Sequence, residues 1–443
     1  MISLGCAKNL ADSEAILGQI VTAEPDSIVC SDPQDADVVI VNTCGFLKAA
    51  RDEADETLSS VEELQSDGRS RRIIAVGCYP QLWKEQVLLR HPGVSAVMGV
   101  DAMFQTEVWK EVLHQQPISS VERTVDVSTI RNFEAPRLLS GNGSYAYLKV
   151  ADGCSQRCTY CTIPQIKGPL LSRTPEAILR EAGQLIQSGV KEVILVAQNT
   201  SAYGMDLSAD HRSLLPDLLR ALDDLPGMGL LRILYLYPTM VTQQLLELIA
   251  DSRHIAHYVD IPLQHTDPDV LRAMGRPWAE RSTLQVVDRV RRIMPDAALR
   301  STFIVGFPGE TEDQFRRLLA DIQQLRLDHA SAFAYSREPK AVSSRLPNQV
   351  STAVKNRRLR EFMQVQQGIS LSVNQERYLD RNVLVMADAV EGSLVYGRTP
   401  LDAPDVDNSV VISTRGQKQP SIGSLFTAHI TSVGPYDLEG ELA

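Results

Sequence analysis

The sequence has few cysteines, few aromatic residues and no long apolar run. Only seven of the 443 residues are cysteine, and Phe, Trp and Tyr together make up 5%. Six of the seven cysteines fall in short motifs, which favours a reducing compartment over a disulfide framework. No stretch is long and uncharged enough to predict a membrane span, and no leader with a cleavage site precedes the first predicted strand. The composition therefore predicts a globular cytoplasmic protein without membrane association.

The length and the charge distribution indicate several domains with different surfaces. A chain of 443 residues is expected to form two or three domains. The net charge is −11, but residues 1–113 hold 9 Lys and Arg against 18 Asp and Glu, and residues 375–443 hold 5 against 10. Acidic flanks disfavour a dominant contact with a phosphate backbone and favour a basic protein partner.

Three cysteines stand close together in the segment 151–164. They are Cys154, Cys158 and Cys161, in a C-x3-C-x2-C spacing. Structural zinc normally takes four ligands, and no fourth Cys or His is near in the sequence. A disulfide would pair two of the cysteines and leave the third one unpaired. Thiolates are the usual ligands of iron–sulfur clusters. The spacing therefore predicts a four-iron cluster with three protein ligands, whose remaining iron is open to a bound molecule.

The first 113 residues show short apolar runs that alternate with helical stretches, which predicts a parallel α/β sheet. The predicted strands are Met1–Leu4, Val38–Val41, Ile73–Val76 and Val94–Met98. A cysteine follows each of the first three: Cys6, Cys44 and Cys78. Because the carboxyl ends of parallel strands share one edge, these thiols are expected to meet there as a second three-cysteine site. Equally, each could be a small buried residue after a strand, as is expected of the seventh cysteine, Cys30.

The remaining chain predicts two further units. Helix starts are expected at Thr174-Pro175 and at the capping boxes Ser282-x-x-Gln285 and Thr311-x-x-Gln314. With the strands Ala146–Val150, Glu192–Ala197, Leu231–Leu236 and Tyr258–Ile261, they indicate a parallel barrel or partial barrel with its site at the carboxyl ends of the strands. After a helix at about 354–373, four short strands predict a small antiparallel barrel: Val383–Asp388, Leu394–Gly397, Val410–Ser413 and Phe426–Val433.

These motifs carry a resemblance to a known family. The loop 151–164 resembles the signature of the radical S-adenosylmethionine (SAM) superfamily. The segments Ser3–Cys6, Asn42–Gly45 and Gly77-Cys78 resemble the amino-terminal motifs of its methylthiotransferases, as does the run Ile304–Glu310 later in the chain. The last 70 residues resemble a TRAM domain. Ala7 departs from the family, which usually has proline there; a loop stiffener is lost, not a ligand.

The resemblance implies a domain plan and cofactors. It implies an amino-terminal domain over 1–113, a linker over 114–139, a radical SAM core over 140–373 that forms an open six-unit barrel, and a TRAM domain over 374–443. Cys154, Cys158 and Cys161 would hold a 4Fe-4S cluster at which SAM is cleaved to methionine and a 5′-deoxyadenosyl radical. Cys6, Cys44 and Cys78 would hold an auxiliary 4Fe-4S cluster with the sulfur to be delivered. One SAM would donate a methyl group and a second would supply the radical.

Several other residues are candidates for contacts with SAM or substrate. Tyr160 lies between two ligands and could pack on adenine, or could only close the loop. The other candidates follow predicted strands or glycine turns: Gln198, Asn199, Gln264, Arg276, Gly306, Gly309 and Glu310. For the four polar residues up to Arg276, a structural turn or a salt bridge is an equal alternative. His265 is interpreted as a turn histidine.

The family divides by substrate. Tyr147–Gly153, Val196–Asp206 and Asp402–Asp407 resemble the branch that acts on a ribosomal protein. The resemblance therefore implies methylthiolation of the β-carbon of an aspartate in protein twelve of the small subunit, with a reductant such as flavodoxin or ferredoxin and with a sulfur source. The alternatives are a tRNA adenosine methylthiotransferase and a non-enzymatic, ribosome-binding adaptor.

Overall fold

The computed structural model describes residues 1–67, 71–114, 121–123, 136–141, 143–276 and 283–443. The predicted capping residue Ser282 and most of the predicted linker lie outside these residues, so the linker boundaries stay a prediction. Among the helices that the structure describes, none is long and apolar enough to cross a membrane.

The first unit is a five-stranded parallel sheet, in the order β1 to β5. Its strands are β1 (Ile2–Ser3), β2 (Val38–Thr43), β3 (Arg72–Gly77), β4 (Val94–Met98) and β5 (Val121–Arg123), and its helices are α1 (Ala7–Ala23), α2 (Lys48–Glu63), α3 (Cys78–Arg90) and α4 (Thr106–His114). Alternate residues of β2 and β3 belong to separate apolar clusters on the two faces of the sheet. Burial on both faces explains the continuous apolar runs of the sequence.

The second unit contains six parallel strands in chain order. Its strands are β6 (Tyr145–Lys149), a short hairpin of β7 (Ala151–Asp152) and β8 (Leu171–Ser172), and then β9 (Glu192–Val196), β10 (Leu230–Ile233), β11 (Tyr258–Asp260), β12 (Ala298–Val305) and β13 (His329–Ala334). Two three-stranded sheets, β6-β9-β10 and β11-β12-β13, are joined by backbone bonds such as Leu236 N to Asp260 O, 2.9 Å. The expected open six-unit barrel is confirmed.

The helices of the second unit are α5 (Ile163–Lys167), α6 (Pro175–Gln187), α7 (Leu215–Asp223), α8 (Gln243–Asp251), α9 (Pro268–Ala273), α10 (Thr283–Ile293), α11 (Glu312–Leu325) and α12 (Thr352–Arg377). Two of them, α6 and α11, begin at the starts that the sequence predicts. The Thr174 hydroxyl caps α6 by accepting a bond from Ala177 N, and Thr311 with Gln314 forms the predicted capping box of α11. The side chains thus satisfy amide groups that the first turn of each helix leaves free.

The third unit is a closed five-stranded barrel, in the order β14-β15-β16-β18-β17. Its strands are β14 (Asn382–Glu391), β15 (Leu394–Arg398), β16 (Ser409–Ser413), β17 (Leu425–Val433) and β18 (Asp437–Leu442). The predicted small barrel is confirmed, with two differences: β18 was not anticipated, and β18 runs parallel to β16. The sequence Asp-Leu-Glu-Gly-Glu-Leu of β18 carries little apolar character, so its pattern gave only a weak strand signal.

A loop of the third unit closes the amino-terminal end of the six-stranded barrel. In the loop between β15 and β16, one Asp405 oxygen accepts bonds from the hydroxyls of Tyr145 (2.8 Å) and Tyr147 (3.2 Å). Asp407 accepts from the hydroxyl of Tyr258 (2.5 Å), and Asp402 pairs with His329 (3.1 Å). These three aspartates are engaged within the chain. Their charges meet buried groups of the core, so the acidic surface from which a basic partner is expected does not include them.

The contact of His329 with this loop predicts a pH-dependent stability. Burial alone would lower the pKa of His329, but Asp407 and Asp402 raise it from 6.5 to about 9. Because the folded pKa is the higher one, the stabilisation is complete below pH 6.5 and is lost as the pH rises to about 9, by up to about 3 kcal/mol. Unfolding temperatures measured across this range should fall in the wild type.

The matched variants are His329→Gln and His257→Gln, the second at a histidine that pairs with the exposed Asp296. His329→Gln should flatten the slope between pH 6.5 and 9, and His257→Gln should keep it. An unchanged slope in His329→Gln would show that another group causes the pH dependence.

Candidate functional site

The cysteine loop of the core lies at the carboxyl end of β6, where the sequence predicts it. Backbone bonds hold it on both sides: Cys154 N donates to Gly168 O (3.1 Å), and Thr159 N donates to Met274 O (2.9 Å). Within the loop, Cys161 N donates to Cys158 O (3.1 Å). The three thiols therefore occupy fixed positions at one rim of the barrel.

A cleft opens beside this loop. It is lined by the three cysteines and by five of the predicted contact residues, which are Tyr160, Gln198, Asn199, Gln264 and Arg276. The structure thus brings together side chains that come from the ends of four different strand–loop units.

The polar atoms of the cleft include buried acceptors without partners. Among the described residues, Gln198 Oε1 and Asn199 Oδ1 are buried and accept no hydrogen bond. The amide of Gln198 is oriented through its nitrogen, which donates to Asp152 Oδ1 at 2.6 Å. Buried acceptors are nearly always satisfied in folded proteins, so these two oxygens fit a ligand that brings N–H or O–H donors, such as SAM.

Burial and charge set the state of the thiols. Burial raises the pKa of Cys154, and it raises that of Cys161 to about 12, with Arg276 acting in the opposite direction. The Arg276 guanidinium stacks 4.8 Å from the ring centre of Tyr237 and donates to Pro262 O at 3.1 Å. Thiols with such raised pKa values become thiolates when a metal centre binds them, since the positive charge of the metal replaces lost hydration.

Two lining residues that are not glycine have strained backbones. Tyr235, just after β10, has φ +64°, and Gln264, shortly after β11, has φ +70°. Left-handed backbone at bulky residues costs free energy and clusters at functional sites. The sequence analysis missed Tyr235 and Tyr237 as lining residues. The signal that could have found them is the Tyr-Leu-Tyr alternation directly after a buried strand.

Three predicted contact residues lie elsewhere. Gly306, Gly309 and Glu310 do not line the cleft. Glu310 instead holds its own loop against α12: its carboxylate accepts from the amides of Gly306 and Phe307 (3.0 Å for Phe307) and pairs with Arg358 (3.1 Å). Burial raises the pKa of Glu310 to about 7, although Arg358 lowers it. A cofactor contact by these three residues stays a prediction.

His265 is a turn residue. Its Nδ1 accepts a bond from Asp267 N at 2.9 Å, and burial lowers its pKa to about 4, which keeps the ring neutral.

The second set of cysteines meets at one edge of the first sheet. Cys6 precedes α1, Cys44 follows β2, and Cys78 begins α3. Two glycines allow this approach: a Cβ on Gly5 would lie 2.8 Å from Cys44 Cβ, and one on Gly45 would lie 2.6 Å from Cys78 O. Burial, together with the charges of Cys44 and Cys6, raises the pKa of Cys78 to about 12, although Lys167 acts in the opposite direction. The three thiols thus form one electrostatic group.

The donor sets fit multi-iron clusters better than single ions. In the described parts of the chain, no three His, Cys, Asp or Glu side chains lie close enough to share one metal ion. A four-iron cluster stands between its ligands, so its thiolates need not approach as closely. Each set offers three thiols, the ligand that iron–sulfur clusters use. Cys30 belongs to neither set and is exposed, so its expected burial is wrong.

Helix α5 connects the two sets of cysteines. It begins two residues after Cys161, and its residue Ile166 is fully buried in the apolar cluster that contains Cys78. The helix ends at Lys167, whose ammonium pairs with Asp12 of α1 at 3.0 Å. The segment that follows the core cysteine loop is therefore part of the hydrophobic core of the first unit.

Four buried charges strengthen this connection. Lys149 and Lys167 each contact both Asp12 and Asp152, with Lys149–Asp152 at 3.2 Å and Lys167–Asp152 at 3.4 Å. None of the four side chains is more than 8% exposed. We call these four residues the buried quartet. It joins α1, which starts beside Cys6, to Asp152, which stands two residues before Cys154.

Comparison with known families agrees with this architecture. Family models match residues 1–99 (Uncharacterized protein family UPF0004), 148–322 (Radical SAM superfamily) and 381–443 (TRAM domain). A protein from Moorella thermoacetica named ribosomal protein uS12 methylthiotransferase RimO is 40% identical over 100% of this chain and 98% of its own. A protein of the same name from Clostridioides difficile is 35% identical over 99% of this chain and 97% of its own.

A solved structure shares the fold. The radical SAM methyltransferase TsrM from Kitasatospora setae, with cobalamin and a [4Fe-4S] cluster bound, superposes with a TM-score of 0.53 over 74% of this chain and 73% of its own. At 14% identity this likeness concerns the fold alone. The six-stranded barrel with its three-cysteine loop, together with the family match, defines a radical SAM protein. More narrowly, the chain belongs to the RimO family of methylthiotransferases.

The buried quartet predicts a large effect of a small substitution. Asp12→Asn leaves Lys149 and Lys167 to share one aspartate, Asp152. Removal of one partner from a buried ion pair typically costs about 3–5 kcal/mol. Thermal and chemical unfolding should therefore show a clear loss of stability, and the double variant Asp12→Asn with Lys149→Met should recover part of it by restoring charge balance.

The control is Asp52→Asn, the same change in an exposed i,i+4 pair with Lys48 of the same unit. Exposed pairs contribute less than about 1 kcal/mol, so this variant should unfold nearly as the wild type does. Equal effects of Asp12→Asn and Asp52→Asn would contradict the role given to the buried quartet.

Proposed function

We propose that this protein adds a methylthio group to the β-carbon of an aspartate in ribosomal protein uS12 of the small subunit. The observation that carries the proposal is a pair of separate three-cysteine sites held together by α5 and the buried quartet. Single-cluster SAM cleavage needs only the core site. A second site with three thiols suits a reaction that must also deliver sulfur. The full-length likeness to proteins named uS12 methylthiotransferase supports the choice of substrate.

The residues of the chain take the following roles. Cys154, Cys158 and Cys161 would hold the cluster that binds SAM. Gln198, Asn199 and Gln264 offer polar groups to SAM, and Tyr160, Tyr235 and Tyr237 line the cleft so that water is excluded. Cys6, Cys44 and Cys78 hold the auxiliary cluster. When bound, the clusters and SAM supply the methyl group, the sulfur and the radical that abstracts hydrogen from an unactivated C–H bond.

Partners follow from the same proposal. Cleavage of SAM requires an electron, which a reductant such as flavodoxin or ferredoxin would supply, and each turnover consumes sulfur, which requires a sulfur source. Action on a ribosomal protein places the enzyme in the cytoplasm. Residues 1–113, with 18 acidic against 9 basic residues, offer an acidic surface to a basic ribosomal protein.

The direct test is anaerobic incubation of the reconstituted, reduced protein with SAM, sulfide and unmodified small ribosomal subunits, beside a parallel reaction with unmodified tRNA. Mass spectrometry should find a methylthio group on an aspartate of uS12. A methylthio-adenosine in tRNA instead would overturn the substrate and keep the chemistry. Absence of any 5′-deoxyadenosine would favour the non-enzymatic adaptor.

Substitution of the two cysteine sets should separate two activities. Replacement of Cys154, Cys158 and Cys161 by Ala should remove about half of the iron and abolish formation of 5′-deoxyadenosine, because the open iron is lost. Replacement of Cys6, Cys44 and Cys78 should remove the other half and abolish methylthiolation while SAM is still cleaved. Iron analysis, chromatography of 5′-deoxyadenosine and mass spectrometry of the substrate measure these effects.

The control for this experiment is Cys30→Ala, at the cysteine outside both sets. It should keep full iron content and activity. Persistent SAM cleavage after loss of the three core cysteines would show that the ligand assignment is wrong.

A further inference from the structure

Lys8 lies between the two cysteine sets. It is the second residue of α1 and stands two positions after Cys6. Its ammonium lies 3.4 Å from the ring centre of Tyr235, and Tyr235 lines the cleft beside Cys154, Cys158 and Cys161. The positive charge is therefore placed at the side of the cleft that faces the first unit.

Lys8 shares with Arg276 a feature that sets the two apart from several other cations of the barrel interior. Arg232 pairs with Glu192 at 2.5 Å, Arg300 pairs with Asp260 at 3.4 Å, and the lysines of the buried quartet pair with two aspartates. For Lys8, no carboxylate of the described chain lies within ion-pairing distance of 4.0 Å. Tyr235 attracts the ammonium group through its ring and through a side-chain hydrogen bond. Since an ammonium group has three N–H donors, this contact leaves donors for an anion.

The position of α1 does not depend on Lys8. The helix is anchored by Asp12 in the buried quartet, and Asn9 Nδ2 donates to Leu4 O at 2.8 Å. The neighbouring Ala7, Leu10 and Ala11 pack among the inner residues of the barrel. A structural role for the charge of Lys8 is therefore unnecessary, since apolar and ionic contacts already fix its helix.

We propose that Lys8 binds the carboxylate of the target aspartate and selects for it. This inference rests on the proposed function and adds the group that recognises the substrate. The reacting β-carbon of aspartate is bonded directly to the carboxylate carbon, so a charge-assisted bond to that carboxylate fixes the β-carbon beside the cleft. Asparagine offers no negative charge and binds Lys8 less well. Arg276, the other cation of the cleft, packs on the ring of Tyr237, and we assign it to the core cysteine site instead of the aspartate.

The test compares two forms of the substrate. Wild-type holoenzyme, Lys8→Met and Lys8→Arg are each titrated calorimetrically, without SAM, with uS12 that carries its target aspartate and with uS12 in which that residue is asparagine. In the wild type, the aspartate form should bind about ten- to a hundredfold more tightly. In Lys8→Met this ratio should fall to about one through weaker binding of the aspartate form, and Lys8→Arg should restore most of it.

The matched control is Lys48→Met, at a lysine of the same unit whose side chain is 71% exposed. It should keep the wild-type ratio. A ratio that Lys8→Met leaves unchanged, or a wild type without preference, overturns the inference. Loss of iron from Lys8→Met also overturns the inference, because it would show that the charge of Lys8 stabilises the auxiliary cluster. If the wild type methylthiolates the aspartate of uS12 and Lys8→Met keeps the binding ratio of the wild type, this inference alone fails. If no aspartate is modified, the proposed function fails as well.

Discussion

The rest of the structure depends on the attachment of the core cysteine loop to the first unit. Helix α5 inserts Ile166 into the apolar cluster that contains Cys78, and the buried quartet fixes the adjoining β6 and α1. Buried ion pairs stabilise little by themselves, because desolvation offsets their attraction. Their contribution here is to fix the relative positions of β6 and α1, since charged groups in a low-dielectric interior are stable only in the few arrangements that keep them paired. Two sets of thiols from separate units are thereby held at one fixed separation, which a reaction that uses both on a single substrate carbon requires.

The barrel is occupied from both ends by the neighbouring units. At the carboxyl end of the strands, Ala7, Leu10 and Ala11 of α1 join the inner cluster; at the amino end, Leu401 and Ala403 of the β15–β16 loop do so. A cleft lies beside the cysteine loop at the carboxyl end. The acidic loop of the third unit acts inside the chain, so recognition of a basic partner falls to other surfaces.

Much of this arrangement could be predicted from local pattern. Buried strands that end at Cys6, Cys44 and Cys78, and the spacing of Cys154, Cys158 and Cys161, identify both thiol sets, because topology alone gathers strand ends at one edge. The buried quartet could not be predicted, because its four residues are far apart in sequence and each looks like an ordinary surface charge. Tyr235 carries a local signal, the Tyr-Leu-Tyr alternation after a buried strand, but its contact with Lys8 depends on the fold. Glu310 is the opposite case: it belongs to a sequence motif and was predicted to contact the cofactor, but its carboxylate pairs with Arg358 of the same chain.

The cleft combines features that a stable fold would avoid. Among the described residues, the amide oxygens of Gln198 and Asn199 have no hydrogen-bond partner, Tyr235 and Gln264 have left-handed backbones, and the cations Lys8 and Arg276 have no carboxylate partner. Each feature costs free energy by itself, and each is relieved by a ligand with donors, negative charge or both. The costs are tolerated because the buried quartet, the α5 contact and the apolar barrel core hold the surrounding backbone in place. The stability of the surrounding structure thus permits an unsatisfied, preorganised cleft beside Cys154, Cys158 and Cys161.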